Sequence, residues 1–224
     1  MPTIRPDDEL RPLPATERGR RARAAIIDAA ATLMYERGVS TTSLDDVLAA
    51  AGSGKSQLYH YFVDKADLVG AVIERQLELV LEEQQPALDR TDSWEGIDAW
   101  AAHYLDLHAA PDGPFACPLG TMAAELKNDE TFRPSLDAAF RRWEEPLARG
   151  LQAMKDRGDL VKDADPSRLA AMVIAALQGG MLVARIRDDV TVLRDALTSA
   201  LSELRRWQAT ARRPVKRIPA RRKK

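Results

Sequence analysis

The chain has 224 residues, 45% of them apolar and 5% aromatic, which provides material for a real core and, with abundant alanine, favours helices over strands. Its single cysteine, Cys117, excludes an internal disulfide and a cysteine-based zinc site. The sequence contains no obvious run of about 18 apolar residues and no secretory signal, so we expect a soluble cytoplasmic protein without a membrane partner.

The two ends of the chain differ in composition from its middle. Four prolines and little apolar material in residues 1–18 predict a disordered N-terminal arm. The net charge is −1, yet ten Lys or Arg residues and no acid lie between Arg205 and Lys224, which leaves 23 bases against 34 acids elsewhere. The basic tail, 208–224, either contacts nucleic acid or stays solvated.

An arginine cluster follows the predicted arm and opens the first predicted helix. These side chains either neutralise phosphates and enter a minor groove or form a solvated helix end. The cluster consists of Arg18, Arg20, Arg21 and Arg23.

About nine helices and no strands are predicted, which makes the fold all-α. Each helix is indicated by apolar residues at helical spacing that follow a capping residue and end near a glycine or proline. Ser43 or its neighbour Thr42 caps the second helix, Asp64 caps the fourth, and Pro146 bends or splits the seventh. In chain order the predicted helices span 20–37, 44–51, 54–61, 65–85, 94–107, 118–127, 134–157, 165–186 and a last one from 188 or 191 to 207.

The stretch AGSGKSQLYHYF, residues 51–62, contains Gly54-Lys55-Ser56, which looks like the end of a phosphate-binding loop. Such a loop needs another glycine five residues earlier and a preceding strand. Ala49 stands at that position, and the segment before it has helical character. We therefore reject nucleotide binding for this stretch.

The same stretch fits a helix-turn-helix, because two short helices flank a tight turn at Gly52. Gly54 lets the backbone at the start of the second helix approach an anion, and Gln57 can read a base edge. Leu58 and Tyr61 are assigned to the small core. The remaining exposed side chains of this helix suit phosphates, sugars and thymine methyl groups; they are Lys55, Ser56, Tyr59 and His60.

Residues 23–68 resemble the DNA-binding domain of the TetR family of bacterial transcription regulators. The matching run reads IIDAAATLMYERGVSTTSLDDVLAAAGSGKSQLYHYFVDKADL. It departs from the family pattern at Ser53, where valine is usual, and at Gly54, where serine is usual. The resemblance implies a three-helix helix-turn-helix domain over 19–66, in which Ser43 contacts a phosphate and Lys65 holds the DNA backbone.

The resemblance further implies a larger helical domain, residues 67–207, that binds a small effector and dimerises. The segment FACPLGTMAAEL, residues 115–126, is similar to the LmrA/YxaF-like subgroup. Aromatic, sulfur-containing and polar side chains of this domain suit a flat hydrophobic effector, although each also suits an ordinary core. The candidate effector-binding residues are Trp100, His103, Tyr104, Cys117, Met122, Trp143, Gln178 and Met181.

Two apolar stripes in the last two helices predict a homodimer. One stripe lies between Leu169 and Leu177 and is followed by Gly180, and the other consists of leucines from Leu193 to Leu204. We expect a two-fold four-helix interface that sets two recognition helices about 34–36 Å apart on a palindromic operator of double-stranded DNA.

The function implied by the resemblance is that of a repressor. The dimer binds its operator. A bound effector favours a state in which the two DNA-binding domains no longer have the spacing that the operator requires, and helix 65–85 transmits this change. The alternative is a helical dimeric ligand-binding or scaffold protein without specific DNA binding.

No enzyme activity, metal site or cofactor is expected. The three histidines, His60, His103 and His108, and the single Cys117 form no recognisable catalytic or metal-ligand spacing. Cys117 is either a redox sensor at a helix start or a small buried residue.

Overall fold

The computed structural model describes residues 13–109 and 117–209, and within these ranges the chain folds into nine α-helices and one 3-10 turn, Leu88–Arg90. The only β pairing there is an isolated bridge between Leu160 and Gln208, so the all-α prediction is confirmed. The helices are α1 Glu17–Arg37, α2 Leu44–Ala51, α3 Lys55–Tyr61, α4 Lys65–Gln84, α5 Trp94–Ala109, α6 Pro118–Leu126, α7 Arg133–Arg157, α8 Pro166–Arg187 and α9 Thr191–Arg205.

Helix α1 begins at Glu17, three residues before its predicted start. Thr16 caps it, and Glu17 pairs with Arg20 across the first turn at 2.8 Å, where a negative charge also favours the helix dipole. Residues 17 and 18, the last two of the predicted disordered arm, are therefore helical. The predictions for residues 1–12 and 210–224 fall outside the described residues.

Side-chain caps define where several of the other predicted helices begin. Ser43 caps α2 in a capping box, Asp64 caps α4, and Asp165 caps α8, each by accepting a backbone N–H that has no partner inside the helix. Helix α7 continues through Pro146 instead of splitting there.

Helices α1, α2 and α3 form a small N-terminal unit, the head, and α4 packs along α1. Arg23 lies over the ring of Phe62, with 5.1 Å between its guanidinium carbon and the ring centroid. Tyr61 is buried, as predicted. Burial of each large apolar side chain stabilises the head by about 1.5–3 kcal/mol. The most deeply buried of these side chains are Ile26, Met34, Val47, Leu58 and Phe62.

One buried amide, that of Gln84 in the last turn of α4, joins three helices. Its Oε1 accepts hydrogen bonds from the indole N–H groups of Trp100 on α5 at 3.1 Å and Trp143 on α7 at 3.3 Å. Its Nε2 donates to the carbonyl of Val80 at 3.0 Å. Both indoles are fully buried, so this one oxygen satisfies two polar groups that could not otherwise reach water.

Helices α8 and α9 pack against each other within one chain. Gly180 permits their close approach, because a Cβ at that position would lie 2.9 Å from the Cβ of Ala196. The leucines predicted to face a second copy are buried in the chain's own core, so that part of the interface prediction is wrong. These leucines are Leu169, Leu177, Leu193, Leu197, Leu201 and Leu204.

Helix α8 is long and apolar enough, by length and composition alone, to cross a membrane, with a mean hydropathy of 1.8 over its best window. This corrects the expectation that the sequence holds no such run. In the fold α8 packs against α7 and α9. Of its best window, 44% is buried there, and the core helix of a soluble protein can pass the same test of length and composition.

Replacement of Gln84 by leucine is expected to destabilise the protein. Two buried indole N–H groups lose their acceptor, and each costs about 1–3 kcal/mol when it is left unpaired. We expect the thermal midpoint, measured by circular dichroism at constant protein concentration, to fall by at least about 4 °C. The matched control is Gln152→Leu on the exposed face of α7; equal midpoints for the two variants would contradict the role of Gln84.

Candidate nucleic-acid interface and ligand cavity

Helix α3 presents a polar face to solvent. Gly54 is its N-cap, with nothing within 4 Å of where a Cβ would stand, so the backbone at this end is open to a large ligand. Leu58 and Tyr61 point into the core. The α3 side chains predicted to contact DNA are all exposed; they are Lys55, Ser56, Gln57, Tyr59 and His60.

Two aromatic rings on α3 differ in their surroundings. Tyr59 is 50% exposed, whereas Tyr61, two residues on, is 8% exposed. His60 packs edge-on against Tyr61, with 4.9 Å between ring centroids. The buried ring therefore orients the exposed imidazole beside Tyr59.

A groove of about 470 Å³ separates the start of α2 from α3. Ser43 lies on its rim, and the Ser43 Oγ and backbone N–H both bind Asp46 in the capping box. The serine predicted to contact a phosphate is thus held in place by the helix that it caps. The groove is lined by Ser40, Thr41, Thr42, Ser43, Leu44, Asp45, Leu48, Lys55, Leu58, Tyr59 and Lys65.

The two lysines of this groove already have partners. Lys55 pairs with Asp45 on α2 at 3.0 Å, and the hydrogen bond and charge of that carboxylate raise the lysine pKa. Both side chains are exposed, so this pair is weak and can open when a phosphate competes. Lys65 is half-buried and donates to the carbonyl oxygen of Val39 at 2.7 Å. Neither partner was predicted from the sequence.

The arginines that open α1 have mixed surroundings. Arg20 and Arg21 are exposed and pair with Glu17 at 2.8 and 2.9 Å, while Arg23 packs over Phe62. Arg20 and Arg21 can therefore either contact DNA or form a solvated helix end. The guanidinium of Arg23 packs within the head.

A large cavity of about 910 Å³ lies between α6, α7 and α8. Three of the predicted effector-binding residues line it: Cys117, Gln178 and Met181. The complete lining is Cys117, Gly120, Thr121, Ala124, Phe140, Glu144, Ala171, Ile174, Ala175, Gln178, Gly179, Met181, Leu182, Arg185 and Ile186.

The other predicted effector-binding residues do not line this cavity. Trp100 and Trp143 are turned toward Gln84 in the core, and Met122 is fully packed. His103 is exposed on α5. Tyr104 instead borders a smaller cavity of about 330 Å³. Helical spacing does not distinguish a core-facing aromatic residue from one that faces a cavity.

Cys117 caps α6 and borders both cavities. Burial raises the pKa of its thiol, even though the Gly120 N–H and the Gln178 side chain favour the thiolate. A thiol kept in its neutral form is a poor nucleophile. Its surroundings therefore favour a small buried side chain over a redox sensor.

Two features of the cavity wall were not predicted. Gly120 leaves room for the Gln178 side chain, because a Cβ there would lie 2.3 Å from the Gln178 Oε1 and that amide would have to shift. Glu144 places a half-buried carboxylate on a mostly apolar wall, and burial raises its pKa. Acidic side chains usually lie on helix exteriors, so the sequence carried no signal for Glu144.

The histidines are separated in the fold. His103 is exposed, while His108 is buried with its Nδ1 2.8 Å from the carbonyl oxygen of Tyr104. Burial lowers the pKa of His108. Across residues 13–109 and 117–209, no three His, Cys, Asp or Glu side chains are grouped as metal ligands would be.

Two family models match the chain. Residues 26–72, within the head and α4, match the model for bacterial regulatory proteins of the tetR family. Residues 93–199 match the C-terminal domain of LmrA/YxaF-like transcriptional regulators. The second match includes the helices that enclose the large cavity.

Similar proteins extend over most of the chain. An uncharacterized HTH-type transcriptional regulator in the lacX 3' region of Lactococcus lactis subsp. lactis is 29% identical, over 78% of this chain and 88% of its own length. A TetR regulator structure from Chloroflexus aurantiacus has a TM-score of 0.71 and 25% identity, over 88% of this chain and all of the other.

SmeT, the repressor of the Stenotrophomonas maltophilia multidrug efflux pump SmeDEF, has a TM-score of 0.57 and 26% identity, over 81% of this chain and 89% of SmeT. A SmeT–triclosan complex gives a TM-score of 0.60 and 23% identity, over 85% of this chain and 93% of the other.

Gln57→Ala is expected to relax sequence preference at one base position. Gln57 is exposed on the outer face of α3, where its amide can form a bidentate pair with a base edge. We expect a loss of about 1–3 kcal/mol on the preferred sequence and little loss on random DNA. Fluorescence anisotropy on both DNAs measures this difference, and equal losses on the two would contradict base reading.

Lys55→Ala provides the contrasting variant on the same helix. Because a lysine contacts phosphates as a point charge, we expect weaker binding to every sequence and a salt slope smaller by about one unit. A loss confined to the preferred sequence would contradict a phosphate contact.

Proposed function

The chain belongs to the TetR family of bacterial transcriptional regulators, and we propose that it is a homodimeric repressor released from a palindromic operator by a small apolar effector. The observation that carries the proposal is the exposed polar face of α3, which rests on a packed three-helix head. Three domains are proposed. They are the DNA-binding domain, 19–66, the effector-binding and dimerisation domain, 67–207, and the basic tail, 208–224. The proposed location is the cytoplasm.

DNA recognition is assigned to α3 and the groove beside it. Gln57 faces the base edges of a major groove, and Tyr59 and His60 contact sugars, phosphates or thymine methyl groups. Ser43, Lys55 and the open backbone at the start of α3 contact phosphates. Lys65 joins them by exchanging the Val39 carbonyl for a phosphate.

Repression is supported by a relative, since SmeT is named a repressor. The matched families consist of regulators, so we assign no catalytic activity to the chain. A protein that repressed by occupying an operator would need only the head, the dimer and a means of release.

The large cavity is the proposed effector site. Its volume of about 910 Å³ lies within the range of small-molecule pockets, and its wall is mostly apolar. Thr121, Gln178 and Glu144 supply the polar contacts, and the carboxylate favours a ligand that donates a hydrogen bond. Triclosan, which SmeT holds in a solved complex, is the first compound to test.

Dimerisation is assigned to the outer face of α8. Leu182 and Ile186 are 59% and 75% exposed, and the small residues Ala175 and Gly179 extend the same face toward the start of the helix. These four residues also line the large cavity, so the proposed interface adjoins the proposed effector site. Such an apolar face is typical of an association surface. A second copy related by a two-fold axis would cover it and would place two heads on one operator.

Release is assigned to a change in head spacing carried by α4. An effector can shift this equilibrium only if it binds the two states with different affinity. If a ligand that saturates the cavity leaves operator affinity unchanged, then that ligand or this release mechanism is wrong.

The DNA-binding proposal is tested by anisotropy on labelled DNA. The full chain is titrated onto DNA selected from a random-sequence pool and onto unselected DNA, at about 0.15 M salt. We expect tight, salt-sensitive binding to the selected sequence only. Phosphate contacts contribute to the affinity for both DNAs, whereas base contacts contribute only on the selected one. If selection enriches no sequence, the chain is a helical ligand-binding or scaffold protein instead.

The double variant Leu182→Glu/Ile186→Glu is expected to be monomeric. It places two charges in each copy at the proposed interface, where an unpaired buried charge is strongly unfavourable. Sedimentation equilibrium should show a dimer for the unchanged chain and a monomer for the variant. Leu79→Glu, at a 37% exposed position on α4, is the matched control; a dimeric double variant would place the interface elsewhere.

A further inference from the structure

One carboxylate on α6 holds the turn between α1 and α2. Glu125 Oε2 accepts the backbone N–H of Val39 at 2.8 Å, and its Oε1 accepts that of Ser40, also at 2.8 Å. Hydrogen bonds to a charged acceptor are roughly twice as strong as neutral ones. Both oxygens of one side chain thus restrain two adjacent peptides that are more than 80 residues away in sequence. We call this contact the latch.

The residues around the latch are arranged to admit it. Gly38 adopts φ +93°, and a Cβ at that position would lie 3.1 Å from Glu125 Oε2. Any side chain there would be strained in backbone conformation and would crowd the carboxylate. On the opposite side of the turn, Lys65 of α4 donates to the carbonyl of Val39 at 2.7 Å. Val39 is therefore held by α6 through its N–H and by α4 through its C=O.

The latched turn leads directly into the proposed DNA-binding groove. Ser40 lines the groove itself. Thr42 donates to the carbonyl of Gly38 at 2.7 Å, and Ser43 caps α2 immediately afterwards. A shift of the turn therefore moves the first turn of α2 and the groove wall with it.

The same short helix forms a wall of the large cavity. Gly120, Thr121 and Ala124 of α6 line that cavity, and Glu125 is the next residue along the chain. Helix α6 also packs against α1 and α4. A ligand that displaces α6 by contact with these residues would displace the Glu125 carboxylate as well.

We propose that Glu125 is a positioning residue that sets the orientation of the head for its operator and transmits displacement of the cavity wall to it. This inference rests on the proposed repressor function. Glu125 does not contact DNA; it acts through Val39 and Ser40.

The environment of Glu125 suits positioning better than stabilisation. Burial opposes its ionisation, yet hydrogen bonds from Ser40 and Val39 outweigh that effect and leave its pKa below the usual value. The side chain is nevertheless exposed, so water can replace these bonds when the carboxylate is removed. Its loss should change head geometry more than stability.

The test uses the full-length chain and its selected operator. Half-site spacing is varied by inserting or deleting one to three base pairs, and affinity is measured for the unchanged chain, Glu125→Gln and Glu125→Ala. The matched control is Glu36→Gln, at an exposed position on α1. Because the head is less restrained in the variants, we expect their preference for the best spacing to shrink by about 2- to 30-fold. The control should keep the full preference.

Hydrogen exchange gives a second readout that does not depend on DNA. We expect the Val39 and Ser40 amides to exchange faster in both Glu125 variants, while the buried amides of α4 keep their protection. Unchanged exchange at these two amides, or an unchanged spacing preference, would overturn the latch. A protein that selects no operator at all would overturn the proposed function itself, whatever the exchange data show.

Discussion

Helix α4 takes part in both halves of the core, and the arrangement of the remaining helices depends on this sharing. Its first half buries Leu68 and Val72, its middle residue Gln76 donates to the carbonyl of Ala31 on α1 at 3.1 Å, and its last turn carries Gln84 between two indoles. A helix of this length spans about 30 Å. A displacement at the C-terminal end of α4 would therefore reach the head as movement of one rigid element.

Two of the three helices that bound the cavity lead to different parts of the proposed mechanism. Helix α6 contacts the head through Glu125, which accepts hydrogen bonds from the turn between α1 and α2. Helix α8 carries the exposed Leu182 and Ile186. A ligand between them contacts the walls next to both the head and the proposed dimer face. In the proposed dimer, operator affinity would depend on the spacing of two heads, so a small movement of either wall would change it.

Much of the fold and of the head surface could be predicted because it depends on local rules. Apolar residues at helical spacing define the helices, and capping residues such as Ser43 and Asp64 define where they begin. The exposed face of α3 follows from the same periodicity, once Leu58 is assigned to the core. Each of these inferences needs only neighbours within one or two helical turns.

The sequence alone determined the helical fold and the residues available to contact DNA, because both follow from periodicity over a few residues. Only the tertiary structure decided their partners: Lys65 binds a carbonyl 26 residues away, and Glu125 binds amides more than 80 residues away. Periodicity shows that Trp100 and the leucines of α9 lie on apolar faces, but not what covers those faces. Gln84 and α8 of the same chain cover them. The tryptophans therefore do not line the cavity, and the outer face of α8 is an apolar face that stays exposed in the single chain.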